Sequence, residues 1–268
     1  MEMKTKILAE DSQILVCLKP AGLAVQSARP GEADIVSELK NYLAASQRSK
    51  SSSGSGGRLP YLGLVHRLDQ PVSGILVFAK TPKAAAELSR QASGAGTGKL
   101  SGVKKENGVE KGMEKEYRAL VYAGEGVSLP EAGIERELVD YLRKEPGQNL
   151  SRVVPAGTSG AKQAALSFCM AEEGNGTESR HICLSVRLHT GRHHQIRVQL
   201  AHAGMPLLGD TRYGSEQSRE YSARLGIRTI CLCACRLSFF HPVTGKRMEF
   251  EIREYPWSEA LAGTGSAG

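Results

Sequence analysis

Between His181 and His189 the chain alternates strictly: Ile182, Leu184, Val186 and Leu188 are spaced by single, mostly polar residues. A period of two puts the four aliphatics on one face of a strand, so the segment requires a sheet with an apolar layer on one side. Gly74 to Ala79 reads as a buried strand and Glu116 to Tyr122 as another. Ile14 to Leu18 is a short apolar run halted by the turn signal Lys19-Pro20-Ala21-Gly22. Thr229 to Phe240 and Arg247 to Arg253 form a closing hairpin turned at Pro242-Val243-Thr244-Gly245. Strands dominate. The helices are fewer: Asp34 serves as N-cap to Ile35, Leu39, Tyr42 and Leu43 at helical spacing, and Pro82 opens an alanine-rich one.

Residues 46–58 are Ser-, Gly- and Arg/Lys-containing and read as a flexible loop. Residues 93–112 are rich in Gly and Lys (Lys99, Lys104, Lys105, Lys111), have no apolar period, and read as a mobile insertion. A disordered tail is expected at 261–268. The 268 residues suit one large domain or two intimate subdomains, with 1–260 as the structured region.

No apolar run approaches the roughly 20 residues of a membrane span. The start, MEMKTKILAEDSQI, has no apolar signal-peptide core with a small-residue cleavage site. The six cysteines lie in apolar, strand-like stretches and read as reduced thiols. A cytoplasmic protein with no membrane partner is expected. Thirty-five Lys plus Arg against 28 Asp plus Glu give a net charge of +7, which suits a polyanionic partner.

Two polar constellations stand out. In Val65-His66-Arg67-Leu68-Asp69-Gln70-Pro71-Val72-Ser73-Gly74 an imidazole, a guanidinium and a carboxylate precede a buried strand, and Asp69 falls in a loop at the strand edge. A turn-capping Asp with Arg67 as its ion-pair partner is the bland alternative. In Leu188-His189-Thr190-Gly191-Arg192-His193-His194-Gln195-Ile196-Arg197 a strand ends, Gly191 turns the chain, and Ile196, Leu200 and Ala203 carry one apolar helix face. Two Arg and two His at a helix start oppose the helix dipole, so an anion is expected there: a buried carboxylate, a phosphate, or both.

These stretches together resemble the RluA-type pseudouridine synthases. The likeness also takes in Lys19-Pro20-Ala21-Gly22, Phe78-Ala79-Lys80-Thr81, Lys115-Glu116-Tyr117-Arg118-Ala119-Leu120-Val121, Gly204 to Asp210 with Tyr213-Gly214, and Phe239-Phe240-His241-Pro242. It runs from about Ile7 to Pro256, in the family's order. Val72 stands where the family usually has Thr, His193 where Thr is common, and Cys233 where His is common. The family's frequent N-terminal S4-like module is expected to be missing, since the catalytic pattern begins almost at residue 1.

The resemblance implies an α+β fold on a mixed, mainly antiparallel, bent sheet with flanking helices. It also implies isomerisation of specific uridines in ribosomal or transfer RNA to pseudouridine, with the target base flipped out of its helix. It assigns Asp69 as the catalytic carboxylate, Tyr117 as the aromatic at the base, and Arg197 as the cation that keeps Asp69 ionised. Arg67 matches the residue that fills the gap left by the flipped base. His66, Lys80, Arg192, His194 and Gln195 complete the expected RNA contacts. No metal and no small-molecule cofactor are expected, and the partner is RNA bound by a monomer.

Three other readings compete. Cys231, Cys233 and Cys235 with His241 could hold a metal, but zinc sites use Cys-x2-Cys knuckles on turns, and buried apolar thiols are the better account. A hydrolase could use Asp69 with His66 or His194, yet no second carboxylate is paired with Asp69 at glycosidase-like spacing. A non-enzymatic RNA-binding protein would need none of Asp69, Tyr117 and Arg197 together.

Overall fold

Whether a strand is apolar on one face or on both decides where it sits, and both kinds occur here. The computed structural model describes residues 3–29, 31–50, 59–94, 105–106, 109–110, 112–124, 127, 133–171 and 180–262. These divide into two compact units. The first comprises the described parts of Met1–Gly94, Lys104–Glu114 and Leu237–Glu251; the second comprises those of Lys115–Arg236 and Ile252–Gly268.

In the first unit β1 (Lys6–Glu10), β2 (Ile14–Lys19) and β4 (Ser73–Ala79) pair antiparallel in that order, with the short β3 (Gly63–Leu64) also on β4. Every residue of β4 is buried, as an uninterrupted apolar run demands. Helix α1 (Ile35–Lys50) lays Ile35, Leu39 and Leu43 into the core, and α2 (Pro82–Gly94) adds Ala84 and Leu88. Each such fully buried Leu or Ile stabilises by roughly 1.5–3 kcal/mol. Asp34 caps α1 as expected, its Oδ1 accepting from Ser37 N at 2.8 Å.

Two loop readings are corrected in part. Helix α1 continues to Lys50, so residues 46–50 are helical, while 51–58 lie outside the described residues. Helix α2 takes in 93–94, and β5 (Lys105–Glu106) pairs with β6 (Val109–Glu110) inside the segment read as structureless. Lys99, Lys104 and Lys111 lie outside the described residues, as does 263–268 of the tail.

The second unit's sheet runs β7 (Glu114–Tyr122), β11 (His181–Leu188), β10 (Lys162–Met170), β8 (Arg136–Lys144), β9 (Ser151–Val154), each pair antiparallel. One face carries Ala119, Leu184, Val186, Leu166, Ala164 and Leu142, all buried. Helix α3 (Gln195–His202) covers that face through Val198, which packs on Leu142 and Ala164. Helix α4 (Glu216–Arg224) is capped by Ser215, which accepts from Ser218 N at 3.1 Å.

Strand β12 (Leu232–Phe240) begins in the second unit and ends in the first, where β13 (Arg247–Glu251) pairs with it. The short α5 (Ser258–Ala262) closes the described chain and takes in residues 261–262 of the expected tail. The fold is α+β, and every pair whose register is described is antiparallel. Among the described residues no helix is long and apolar enough to cross a membrane.

Candidate active site

Asp69 sits half-buried in the turn that feeds β4, closed by Val72 N donating to Asp69 O at 3.0 Å. Such a turn would be free to shift were it held only by its own backbone. It is held instead by Lys19, whose side chain is fully buried at the end of β2. The Lys19 ammonium donates to Gln70 O at 2.8 Å, Val72 O at 2.7 Å and Pro20 O at 3.0 Å, one acceptor for each of its protons. Burial lowers the Lys19 pKa to about 8, and the charge of Asp69 works in the opposite direction. A second clasp joins Gly22 and Gln70: Gly22 N donates to Gln70 O at 3.0 Å and Gln70 Nε2 to Gly22 O at 3.1 Å. Gly22 adopts φ 85°, a conformation that disfavours residues with a Cβ. Lys19-Pro20-Ala21-Gly22 is therefore the clamp on the Asp69 turn.

Other expected RNA contacts of this unit divide. Arg67 is exposed. His66 accepts from Val77 N at 3.3 Å, which places its Nε2 against the β4 backbone. The Lys80 ammonium bonds Glu10 Oε1 at 2.6 Å and Asp11 O at 2.5 Å, tying the β1–β2 turn to the end of β4.

In the second unit Tyr117 is buried on β7, on the face that α3 covers. Arg197 is buried too, although the helical period puts it off the Ile196–Leu200 face. The described partner of its guanidinium is Asp210, bound side-on from Nε and Nη2 at 2.8 Å each. The side chains are 4% and 0% exposed. This is a buried carboxylate of the kind expected opposite the cations of α3, and no spacing in the sequence marks Asp210 as that group. Asp210 also accepts from the backbone N–H of Arg212 at 2.9 Å and Tyr213 at 3.2 Å. Gly209, just before it, must lack a side chain, because a Cβ would meet Thr229 O at 2.0 Å.

The Tyr213 ring lies under the Arg197 guanidinium, 5.0 Å from centroid to Cζ. Its hydroxyl accepts from Ser151 N at 2.8 Å and meets His194 Nδ1 at 2.9 Å, so we assign the phenolic proton to that nitrogen. His194 is buried at φ 56°, the only non-glycine residue at positive φ among those described, and stacks on His193 at 3.8 Å. Burial first, then the neighbouring Arg197, His193 and Arg212, lower its pKa to about 3. His194 is thus neutral at pH 7, and its described contacts are with Tyr213 and His193. Gln195 is buried: its Oε1 accepts from Thr190 Oγ1 at 2.8 Å and Arg192 N at 2.9 Å, and its Nε2 donates to Ala165 O at 3.0 Å. Arg192 is half-buried, and its Nε donates to Gln163 O at 2.9 Å.

His194 has a consequence in acid. Its folded pKa lies below the unfolded value near 6.5, so the unfolded chain takes up the proton first and stability falls as pH drops from 6.5 toward 3. Urea midpoints at pH ~7 and pH ~4.5 are expected to differ less for His194→Asn, whose side chain tolerates positive φ, than for the parent. Equal acid losses in the two proteins would refute the assignment.

Cys231, Cys233 and Cys235 are buried, and burial raises the Cys235 thiol pKa to about 12 and that of Cys231 further. Among the described residues no group of three His, Cys, Asp or Glu could hold a metal ion.

A family profile described as RNA pseudouridylate synthase matches residues 13–202. An uncharacterized RNA pseudouridine synthase of Aquifex aeolicus is 33% identical over 271 residues, covering 94% of this chain and 72% of the relative. The ribosomal large subunit pseudouridine synthase C of Escherichia coli K12 is 32% identical over 260 residues, covering 95% of this chain and 67% of the relative. Among solved structures, human RNA pseudouridylate synthase domain containing 4 matches with TM-score 0.67 at 19% identity, over 96% of this chain and 92% of that one, a likeness of fold.

Proposed function

Since this chain belongs to the RNA pseudouridylate synthase family and is an isomerase acting on RNA, we propose that it converts uridines of large-subunit ribosomal RNA to pseudouridine with Asp69 as the catalytic carboxylate. The reaction breaks the N1–C1′ bond, turns the uracil and joins C5 to C1′, while C5 loses a proton and N1 gains one. Asp69 either attacks C1′ or removes a sugar proton; both need the ionised carboxylate held still against the ribose. The observation that carries the assignment is the Lys19 clamp, which fixes the Asp69 turn through three carbonyls and puts a cation near its carboxylate.

The family likeness assigns Tyr117 and Arg197 to the same reaction. The tyrosine ring offers a surface for the extruded uracil, and Arg67, exposed beside Asp69 in sequence, replaces the lost stacking in the RNA helix. The isomerisation leaves formula and oxidation state unchanged, so it calls for no redox or group-carrying cofactor. Reduced cysteines and an RNA substrate fit the cytoplasm, and we take a monomer as the working unit. The choice of ribosomal RNA is supported by the relatives named as ribosomal large subunit pseudouridine synthases.

The purified protein is to be incubated with in vitro transcribed large-subunit ribosomal RNA and pseudouridines located by carbodiimide adducts that stop reverse transcription. Discrete new stops are expected. Their absence from ribosomal RNA, with stops on transfer RNA instead, would overturn the substrate; their absence from both would overturn the activity.

A further inference from the structure

Some cations of the second unit's sheet are paired with acids and others are not. On the face away from α3, Arg143 and Arg152 pair with Glu145, and Arg118 and Arg187 pair with Glu116. On the face that α3 covers, Lys144, Lys162, Arg192 and Arg212 have no carboxylate partner among the described residues. The acids nearest them on this face are committed elsewhere: Asp140 Oδ2 accepts from Gln199 Nε2 at 2.8 Å, and Asp210 is enclosed with Arg197.

The register sets these four cations in a row. Lys162 lies opposite Leu142, and Lys144 is two residues beyond Leu142 on the same face, a diagonal neighbour at about 7–8 Å. Arg192 bonds the carbonyl of Gln163, next to Lys162. At the other end Arg212 Nη1 donates to Asn149 O at 2.8 Å. His193 links Asn149 to Ser151, and Ser151 lies opposite Lys144. Lys144, Lys162 and Arg212 are exposed and Arg192 is half-buried. Like charges held at this spacing without an acid between them repel, and a polyanion supplies the missing charge.

We propose that this row binds the phosphate backbone of the RNA substrate away from the target nucleotide. The row stands at the exposed margin of the sheet face that bears Tyr117, its lysines on β10 and β8, two and three strands from the tyrosine's own strand. The proposal rests on the pseudouridine synthase reading. It adds the substrate's path across the second unit, with Lys144, Lys162 and Arg212 as contacts that the sequence motifs do not mark. The departure at His193 belongs to this row, since its ring joins the Asn149 turn to Ser151.

The test compares two triple variants of equal charge change in the full chain, both confirmed folded by their melting temperatures. One is Lys144→Gln/Lys162→Gln/Arg212→Gln; the other, from the opposite face, is Arg143→Gln/Arg152→Gln/Arg187→Gln. Kd for a hairpin RNA of arbitrary sequence is measured from about 50 to about 300 mM KCl. The first variant is expected to flatten the slope of log Kd against log salt by roughly two to three, at roughly 0.7–0.9 for each of three phosphates lost, and the second to leave it unchanged. In turnover with ribosomal RNA the first variant's loss is expected in KM rather than kcat. Equal slopes for the two variants, or a loss confined to kcat, would overturn the proposal. A changed slope with no turnover by the parent protein on any RNA would instead overturn the enzymatic reading and leave the surface standing.

Discussion

Asp69→Asn is expected to abolish pseudouridine formation, by at least about 10²–10⁴-fold, the range over which a positioned acid or base acts. The amide keeps the size and shape of the carboxylate but can neither attack C1′ nor take up a proton. Only the side chain changes: the Val72 N to Asp69 O closure and the Lys19 bonds to Gln70 O and Val72 O all use backbone oxygens. Melting temperature and RNA Kd are therefore expected to stay close to those of the parent. Pseudouridine is to be quantified by chromatography of nuclease-digested RNA under single turnover, with enzyme in excess, so that slow product release does not hide the step. Substantial single-turnover conversion by the Asn variant would remove Asp69 from the mechanism.

The second large effect is on stability. Arg197→Met is expected to destabilise the protein by about 3–5 kcal/mol, because it leaves the Asp210 carboxylate, fully buried, without its guanidinium. At the usual scaling this lowers the melting temperature by on the order of 10 °C. Arg197→Met/Asp210→Leu is expected to recover most of the loss, since a buried pair replaced by apolar groups of similar volume is often neutral. Arg197→Lys should recover little, because an ammonium cannot make the side-on pair of bonds from Nε and Nη2. Urea denaturation of the four proteins measures these differences, and a single variant as stable as the parent would show that the pair contributes little. Activity lost by Arg197→Met is accordingly to be expressed per folded molecule before it is assigned to chemistry.

Strands that meet only one kind of environment were legible in the sequence. Strand β4 is an unbroken apolar run because it is buried throughout, and β11 alternates because it is covered on one side. Strand β8 was not legible. In RELVDYLRK, Leu138 and Leu142 face α3 while Val139 and Tyr141 face the other way, and Val139 is 50% exposed. Helix α4 (EQSREYSAR) has no apolar stripe at all. Of its side chains Tyr221 packs on the core, against Tyr122, and hydroxyls add to the hold: Ser222 Oγ donates to Ser218 O at 2.6 Å and accepts from Gly209 N at 3.0 Å.

The candidate site divides in the same way. Asp69 was found because its neighbours in the chain announce a turn before a strand. Lys19 was not singled out, because a lysine after an apolar run reads as a surface residue unless three carbonyls wait for it. The Arg197–Asp210 pair was missed because the helical period marks one face of α3 as apolar, whereas Gln195 through Leu200 are buried all round. His194 and Gln195 look like donors to an anion in sequence. In the structure His194 meets Tyr213, and Gln195 bonds Thr190, Arg192 N and Ala165 O, contacts that their spacing in the chain does not announce.

The ammonium that seals the Asp69 turn enters from the end of β2, 51 residues before the Gln70 carbonyl it holds. A segment containing only the turn and β4 therefore lacks the means to fix its own geometry. Closing a loop of that length costs entropy, which the pairing of β2 with β4 must overcome before Lys19 can reach its acceptors. The fixed geometry of the Asp69 turn is then a property of long-range order, present only while these two distant strands are paired.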